Sequence, residues 1–160
     1  MFKTIKFKRS PFVFLGESLL ILTEGNLMVN EIVMNILELE LLTDDLIKTE
    51  VFYNEVLGLQ TVSKNESYIS FIAGATKLTF RPSENLNPVY HFAFDIPKNK
   101  LMEAFSKIEK KTEILEVIPP DKIADFYNWN AKPFYCYDNH GNIIEFLAIV
   151  YFAKAPEKFF

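Results

Sequence analysis

Ile36-Leu37-Glu38-Leu39-Glu40-Leu41-Leu42 alternates acidic with apolar side chains, the period of a strand that turns Glu38 and Glu40 to one face and Leu37, Leu39 and Leu41 to the other. Asp44 or Asp45 then offers an N-cap oxygen, and Leu46, Val51, Phe52, Val56 and Leu57 suit a helix that Gly58 stops. Three short strands are predicted next, over 60–64, 68–72 and 77–81, divided by Asn65-Glu66 and by Gly74-Ala75 as hairpin punctuation. Residues 82–88 are polar and turn-rich and read as a linker.

Beyond the linker the order repeats. Residues 89–96 predict a strand, Pro97 opens a helix with Leu101, Met102, Phe105 and Ile108 on one face, and 113–118 predicts another strand. Strands over 132–137 and 142–150 complete the set, joined by the turn Asp138-Asn139-His140-Gly141, which reads as structural with His140 exposed. Glu38 to Phe52 and His91 to Phe105 both span 14 positions, so strand and helix keep one register in the two halves. Leu78-Thr79-Phe80 is similar to Ile144-Glu145-Phe146, but the latter lies 13 residues further along its half. The stretch 119–131, rich in aromatic and polar residues, accounts for the difference as an inserted loop. The expected fold class is therefore α+β, with two βαβββ modules over 36–84 and 85–150. An extension of unassigned role (1–35) precedes them and a tail (151–160) follows.

The 160 residues suffice for one compact unit with a real core, and 49% hydrophobic with 24% charged residues excludes a mostly disordered chain. Sixteen Phe and seven Tyr favour β-rich packing or a pocket walled by rings. A net charge of −4 argues against a nucleic-acid partner, whose binding is driven largely by basic side chains. The lone Cys136 can form no internal disulfide and reads as a small buried hydrophobe in a reducing, cytoplasmic setting. Lys3, Lys6, Lys8 and Arg9 precede an apolar stretch over 11–22, but Glu17 and Ser18 interrupt it. It is too short to span a bilayer and no cleavage site follows, so neither a signal peptide nor a membrane partner is expected. Met28 and Met34 offer alternative translation starts.

Asp45-Leu46 followed by Phe52-Tyr53-x-x-Val56-Leu57-Gly58-Leu59, then His91-Phe92-Ala93-Phe94, then Tyr137-Asp138-x-x-Gly141-Asn142-x-x-Glu145-Phe146 resemble the vicinal-oxygen-chelate superfamily, the glyoxalase, bleomycin-resistance and extradiol-dioxygenase group. The resemblance implies a cupped mixed sheet with the active site inside, a homodimer, and a divalent metal held from the first and last strands of each module. The matching positions are Glu38, Thr79, His91 and Glu145. Glu38, His91 and Glu145 are thereby candidate ligands, and one imidazole with two carboxylates suits Mn, Fe, Ni or Zn. Open coordination positions would let the ion polarise a substrate oxygen. Two departures shape the expectation. Glu38 stands where ring-cleaving dioxygenases carry a first His, and Thr79 stands where glyoxalase I or an epimerase carries a stronger ligand or base. A hydroxyl has too high a pKa to serve as general base.

The implied activity is a metal-dependent enzyme acting on a small oxygenated substrate through a stabilised enolate or oxyanion. The alternative is a metal-free protein of the same fold that binds and sequesters an antibiotic or metabolite. Thr79, Phe94, Trp129 and Tyr135 are the candidate substrate contacts, and Glu40 is the candidate acid or base. Each has a plainer reading. The Glu38 and Glu40 face could simply meet solvent, or Glu40 could sit deeper, as a second acid or as a partner for Arg81. Arg81 reads as a surface charge on the face opposite Thr79. His91 could be a hydrogen-bonded core residue. Glu145, inside the apolar run 143–150, is expensive to bury unless paired or metal-bound, and its plainer reading is an ion pair with Arg81 or a lysine. Trp129 belongs to a loop that reads either as a lid or as a cover over a sheet edge or dimer partner.

Overall fold

The computed structural model describes residues 14–15, 36–83 and 88–149. Two four-stranded sheets result. In the first, β2 (Glu38–Thr43), β3 (Gln60–Asn65), β4 (Tyr68–Ala73) and β5 (Thr76–Pro82) lie in the order β2-β5-β4-β3. In the second, β1 (Phe14–Leu15), β6 (His91–Asp95), β7 (Ala131–Tyr137) and β8 (Ile143–Ile149) lie in the order β1-β6-β8-β7. The first and last strands of each module are parallel neighbours, β2 with β5 and β6 with β8, while the hairpins β4–β5 and β7–β8 are antiparallel. That topology needs a crossover helix in each module. The crossovers carry α1 (Leu46–Val51) and α2 (Leu101–Glu109).

Asp45 caps α1 as its position suggests, accepting from the backbone N–H groups of Ile47 at 2.9 Å and Lys48 at 3.0 Å. The helix then widens into a π-helical turn over Phe52–Val56, where two successive rings, Phe52 and Tyr53, are both buried. Leu59 N–H bonds back to the Tyr53 carbonyl, and Gly58, at φ +80°, supplies the left-handed residue that ends the helix.

One predicted strand is not formed. Over 113–118 only the bridge Ile114↔Cys136 and the bond from Leu115 N–H to the Tyr135 carbonyl join β7, because Val117 and Ile118 turn instead onto Asp121. The second sheet gains its fourth strand on the other edge, where Phe14 pairs with Ala93 and Leu15 with Phe94. Those two residues of the 1–35 extension are described. The rest of it, both alternative start sites and the tail 151–160 lie outside the described residues. The inserted loop folds over itself through the bridge Phe126↔Ala131, around a 3-10 turn that contains Trp129.

One continuous core takes the apolar face of both sheets: Leu41, Phe71, Leu78 and Phe80 from the first, Phe92, Phe94, Phe134, Ile144 and Phe146 from the second. Cys136 lies within it, and burial, reinforced by the Asp138 carboxylate, pushes its thiol up to about 12. Because the thiolate is the reactive form, the folded protein at about pH 8 should react with a disulfide-exchange reagent at least ~100-fold more slowly than the denatured chain. Comparable rates in the two states, read by absorbance of the released thiol, would contradict this burial.

A buried polar cluster fastens the modules together. The Asp138 carboxylate accepts from the Tyr53 hydroxyl at 2.8 Å, from His140 N–H and Asn142 N–H at 2.9 Å each, and from Asn142 Nδ2 at 2.7 Å. Asn142 Oδ1 in turn accepts from Tyr90 N–H at 2.8 Å. His140 corrects the sequence reading. Its side chain is 1% exposed, with Nδ1 2.8 Å from Asp44 Oδ1, so the polar turn drives its ring against the corner between β2 and α1 instead of into water.

Candidate functional site

Each sheet gives one face to the core, and the opposite faces carry the same constellation twice, in the second sheet beside a small apolar cluster of Ala93, Ala131, Leu147 and Ile149. In the first module Thr79 Oγ1 donates to Glu38 Oε1 at 3.4 Å and shares a hydrogen bond with Ser70 Oγ at 2.9 Å. In the second, Glu145 Oε2 lies 3.0 Å from His91 Nε2, and Glu145 Oε1 accepts from the Tyr135 hydroxyl at 3.2 Å. The registers explain the match. Thr79 sits between Glu40 on the parallel side and Ser70 on the antiparallel side, while Glu145 sits between Ala93 and Tyr135. Glu38 and His91 are therefore equivalent, as are Thr79 and Glu145, and Ser70 and Tyr135. The internal repeat read from residue spacing thus reappears as contacts.

The chemistry of the two copies differs. In the first, Lys77 Nζ lies 3.0 Å from Glu38 Oε1, and that ammonium holds the Glu38 carboxyl below the usual carboxylate range. Glu40 pairs with Arg81 at 2.8 Å. Arg81 itself corrects the sequence reading: residues two apart on a strand share a face, so Arg81 stands on the side of Lys77 and Thr79. Thr79 is buried beneath this row of ion pairs.

In the second copy no lysine or arginine among the described residues pairs with the acid. Glu145 is 2% exposed and His91 is 40% exposed, so the carboxylate is sunk in the sheet and the imidazole stands at its mouth. An ionised carboxylate only accepts, so with Glu145 ionised this bond takes the tautomer in which Nε2–H donates. Burial, and then the charge of Glu145, push the Tyr135 phenol above its ordinary value, so its O–H remains a donor. The His91 and Tyr135 rings meet edge to face at 6.0 Å.

The predicted site residues are thus distributed unevenly. His91, Glu145 and Tyr135 come together, and Glu38, Thr79 and Glu40 form the first-module row. Phe94 lies in the core, stacked on Phe146 at 5.7 Å, on the face away from His91, because neighbours on a strand alternate. Trp129 lies in the inserted loop. Ser70 was missed by sequence reasoning. The signal was available: it precedes Thr79 by nine positions as Tyr135 precedes Glu145 by ten, across equivalent hairpins.

Among the described residues no three His, Cys, Asp or Glu side chains are grouped to hold a metal ion. Two donors are nevertheless suitably spaced. Ligand atoms about 2.1 Å from one ion and at right angles to each other lie about 3 Å apart, so an imidazole and a carboxylate at 3.0 Å fit a shared ion as well as a shared proton. His91 and Glu145 therefore fit a divalent ion as a pair, and Glu38 is not part of that pair.

No family model and no curated protein matches this chain. Solved structures do. A lactoylglutathione lyase from Agrobacterium tumefaciens is 23% identical, with a TM-score of 0.59 over 71% of this chain and 92% of its own. A glyoxalase/bleomycin resistance protein/dioxygenase from Nocardioides is 20% identical, with a TM-score of 0.60 over 78% and 89%. A variant of the fosfomycin resistance protein FosX from Listeria monocytogenes, complexed with Mn(II) and 1S,2S-dihydroxypropylphosphonic acid, is 17% identical, with a TM-score of 0.55 over 74% and 90%. At these identities the likeness is one of fold. No helix among the described residues is long and apolar enough to cross a membrane.

Proposed function

Taking as premise the glyoxalase/bleomycin-resistance fold that this chain shares with those structures, we propose that it is a divalent-metal-dependent enzyme acting on a small oxygenated molecule, with His91 and Glu145 as the paired donors. The observation that carries the reading is the sunken Glu145 carboxylate facing a half-open imidazole, since a buried carboxylate is costly unless paired, and its partners among the described residues are an imidazole and a phenol that suit a site. An ion held at Nε2 would need His91 as the tautomer protonated at Nδ1, with the Tyr135 hydroxyl on the second carboxylate oxygen. A bound ion would supply Lewis acidity toward a substrate oxygen. The FosX variant binds Mn(II), which supports a divalent ion in general. A homodimer and a cytoplasmic location belong to the same proposal.

The test is elemental analysis after exposure to Mn, Fe, Ni and Zn salts. Wild type is expected to retain about one ion per chain, and His91→Ala and Glu145→Ala to lose it. Glu38→Ala retains the ion if Lys77 keeps that carboxylate engaged, and loses it if Glu38 is the third ligand. A wild type that takes up none of the four ions overturns the metal reading.

A second reading is favoured by one observation: the first-module acids are already paired, Glu38 with Lys77 and Glu40 with Arg81. In that reading the chain binds and sequesters an antibiotic or metabolite without a metal, and His91 with Glu145 serves as a hydrogen-bonding anchor for it. Calorimetric binding of an oxygenated ligand by metal-free protein, abolished in His91→Ala, separates the two.

A further inference from the structure

We propose that Tyr135 is a positioning residue, whose phenol hydroxyl fixes Glu145 Oε1 so that Oε2 stays turned to His91. The inference rests on the reading of His91 and Glu145 as the working pair. Tyr135 and Glu145 stand directly opposite in the antiparallel β7–β8 register, which places the hydroxyl 3.2 Å from Oε1. A carboxylate with both oxygens committed to different partners has one orientation, whereas one held only at Oε2 can rotate. Glu145 is almost wholly buried, so a protein donor is what satisfies Oε1.

The first module provides an independent observation. At the equivalent position Ser70 reaches Thr79 across the β4–β5 hairpin, so both modules steady the last-strand polar residue with a hydroxyl from the neighbouring strand. The second module needs a longer side chain because its acceptor is a carboxylate reaching toward the first strand of the module. With its only proton given to Glu145, the hydroxyl is assigned a holding role and not that of a donor to substrate. The ring also abuts His91, so pair and support form one unit.

The variant is Tyr135→Phe, which keeps the ring and removes the hydroxyl. The decisive readout is the imidazole nitrogen NMR spectrum of metal-free full-length protein at about pH 8, where free imidazole is largely neutral. The chain has two histidines, and buried His140 serves as the internal control for folding. Wild-type His91 is expected to show one tautomer, protonated at Nε2, and Tyr135→Phe a mixture of tautomers with His140 unchanged. A His91 spectrum identical in the two proteins overturns the proposal. The second readout is Mn(II) affinity, expected to fall about 10–100-fold in Tyr135→Phe, and an unchanged affinity likewise counts against the role. If wild type binds no Mn(II), the metal reading fails by itself and the tautomer comparison still decides Tyr135.

Discussion

Asp138→Ala is expected to destabilise the protein by about 3–5 kcal/mol, because one substitution strands several buried donors at about 1–3 kcal/mol each, partly relieved by local relaxation. The donors are the Tyr53 hydroxyl, the His140 and Asn142 N–H groups and Asn142 Nδ2. They come from both modules, so the loss is expected as a lower denaturant midpoint for a single cooperative transition. Tyr53→Phe, which removes one donor with its partner left satisfied by others, should cost about 1–2 kcal/mol alone. Burial and the Asp138 charge push the Tyr53 phenol well above its ordinary value, so this hydroxyl is a donor at neutral pH. The two changes should not add. With Asp138 gone the hydroxyl is already orphaned, and removing it then costs little or is favourable. Strict additivity in the double variant would show that the Tyr53 contact is incidental to what joins the modules.

This cluster also marks where local sequence reading stops. The alternation at Glu38 and Glu40, the Asp45 cap and the shared 14-residue register are local patterns, and each reappears in the structure, as does the pairing of equivalent first and last strands. His140 is different, because nothing within its own turn reveals that Asp44, 96 positions earlier, waits to receive the ring. Residues 113–118 have a strand's composition, yet whether they join the sheet depends on Asp121 competing for the backbone of Val117 and Ile118. Lys77 beside Glu38 is a cross-strand fact of the same kind, visible only once the register of β2 and β5 is known. The faces of Arg81 and Phe94 were legible, since period-two alternation alone puts Arg81 with Thr79 and separates Phe94 from His91.

Phe134→Ala is expected to cost about 3–5 kcal/mol, the range for emptying a fully buried ring site. Phe134 is 0% exposed, stacked on Phe146 at 4.7 Å with an interplanar angle of 13°, and meets Phe105 edge to face at 5.3 Å. Phe134→Leu, which keeps most of the volume, should cost about 1–2 kcal/mol. The comparison with the next residue on the strand is informative, because Phe134 and Tyr135 point to opposite faces of β7. Tyr135→Phe leaves the buried Glu145 Oε1 without its donor and should cost about 1–3 kcal/mol while disturbing the His91 and Glu145 pair. Phe134→Leu should lower the denaturant midpoint by a similar amount yet leave Mn(II) affinity within about two-fold of wild type, since it touches neither donor. If Phe134→Leu weakened ion binding as strongly as Tyr135→Phe, the polar face would be responding to any change in β7, and the hydroxyl would carry no special part in holding Glu145.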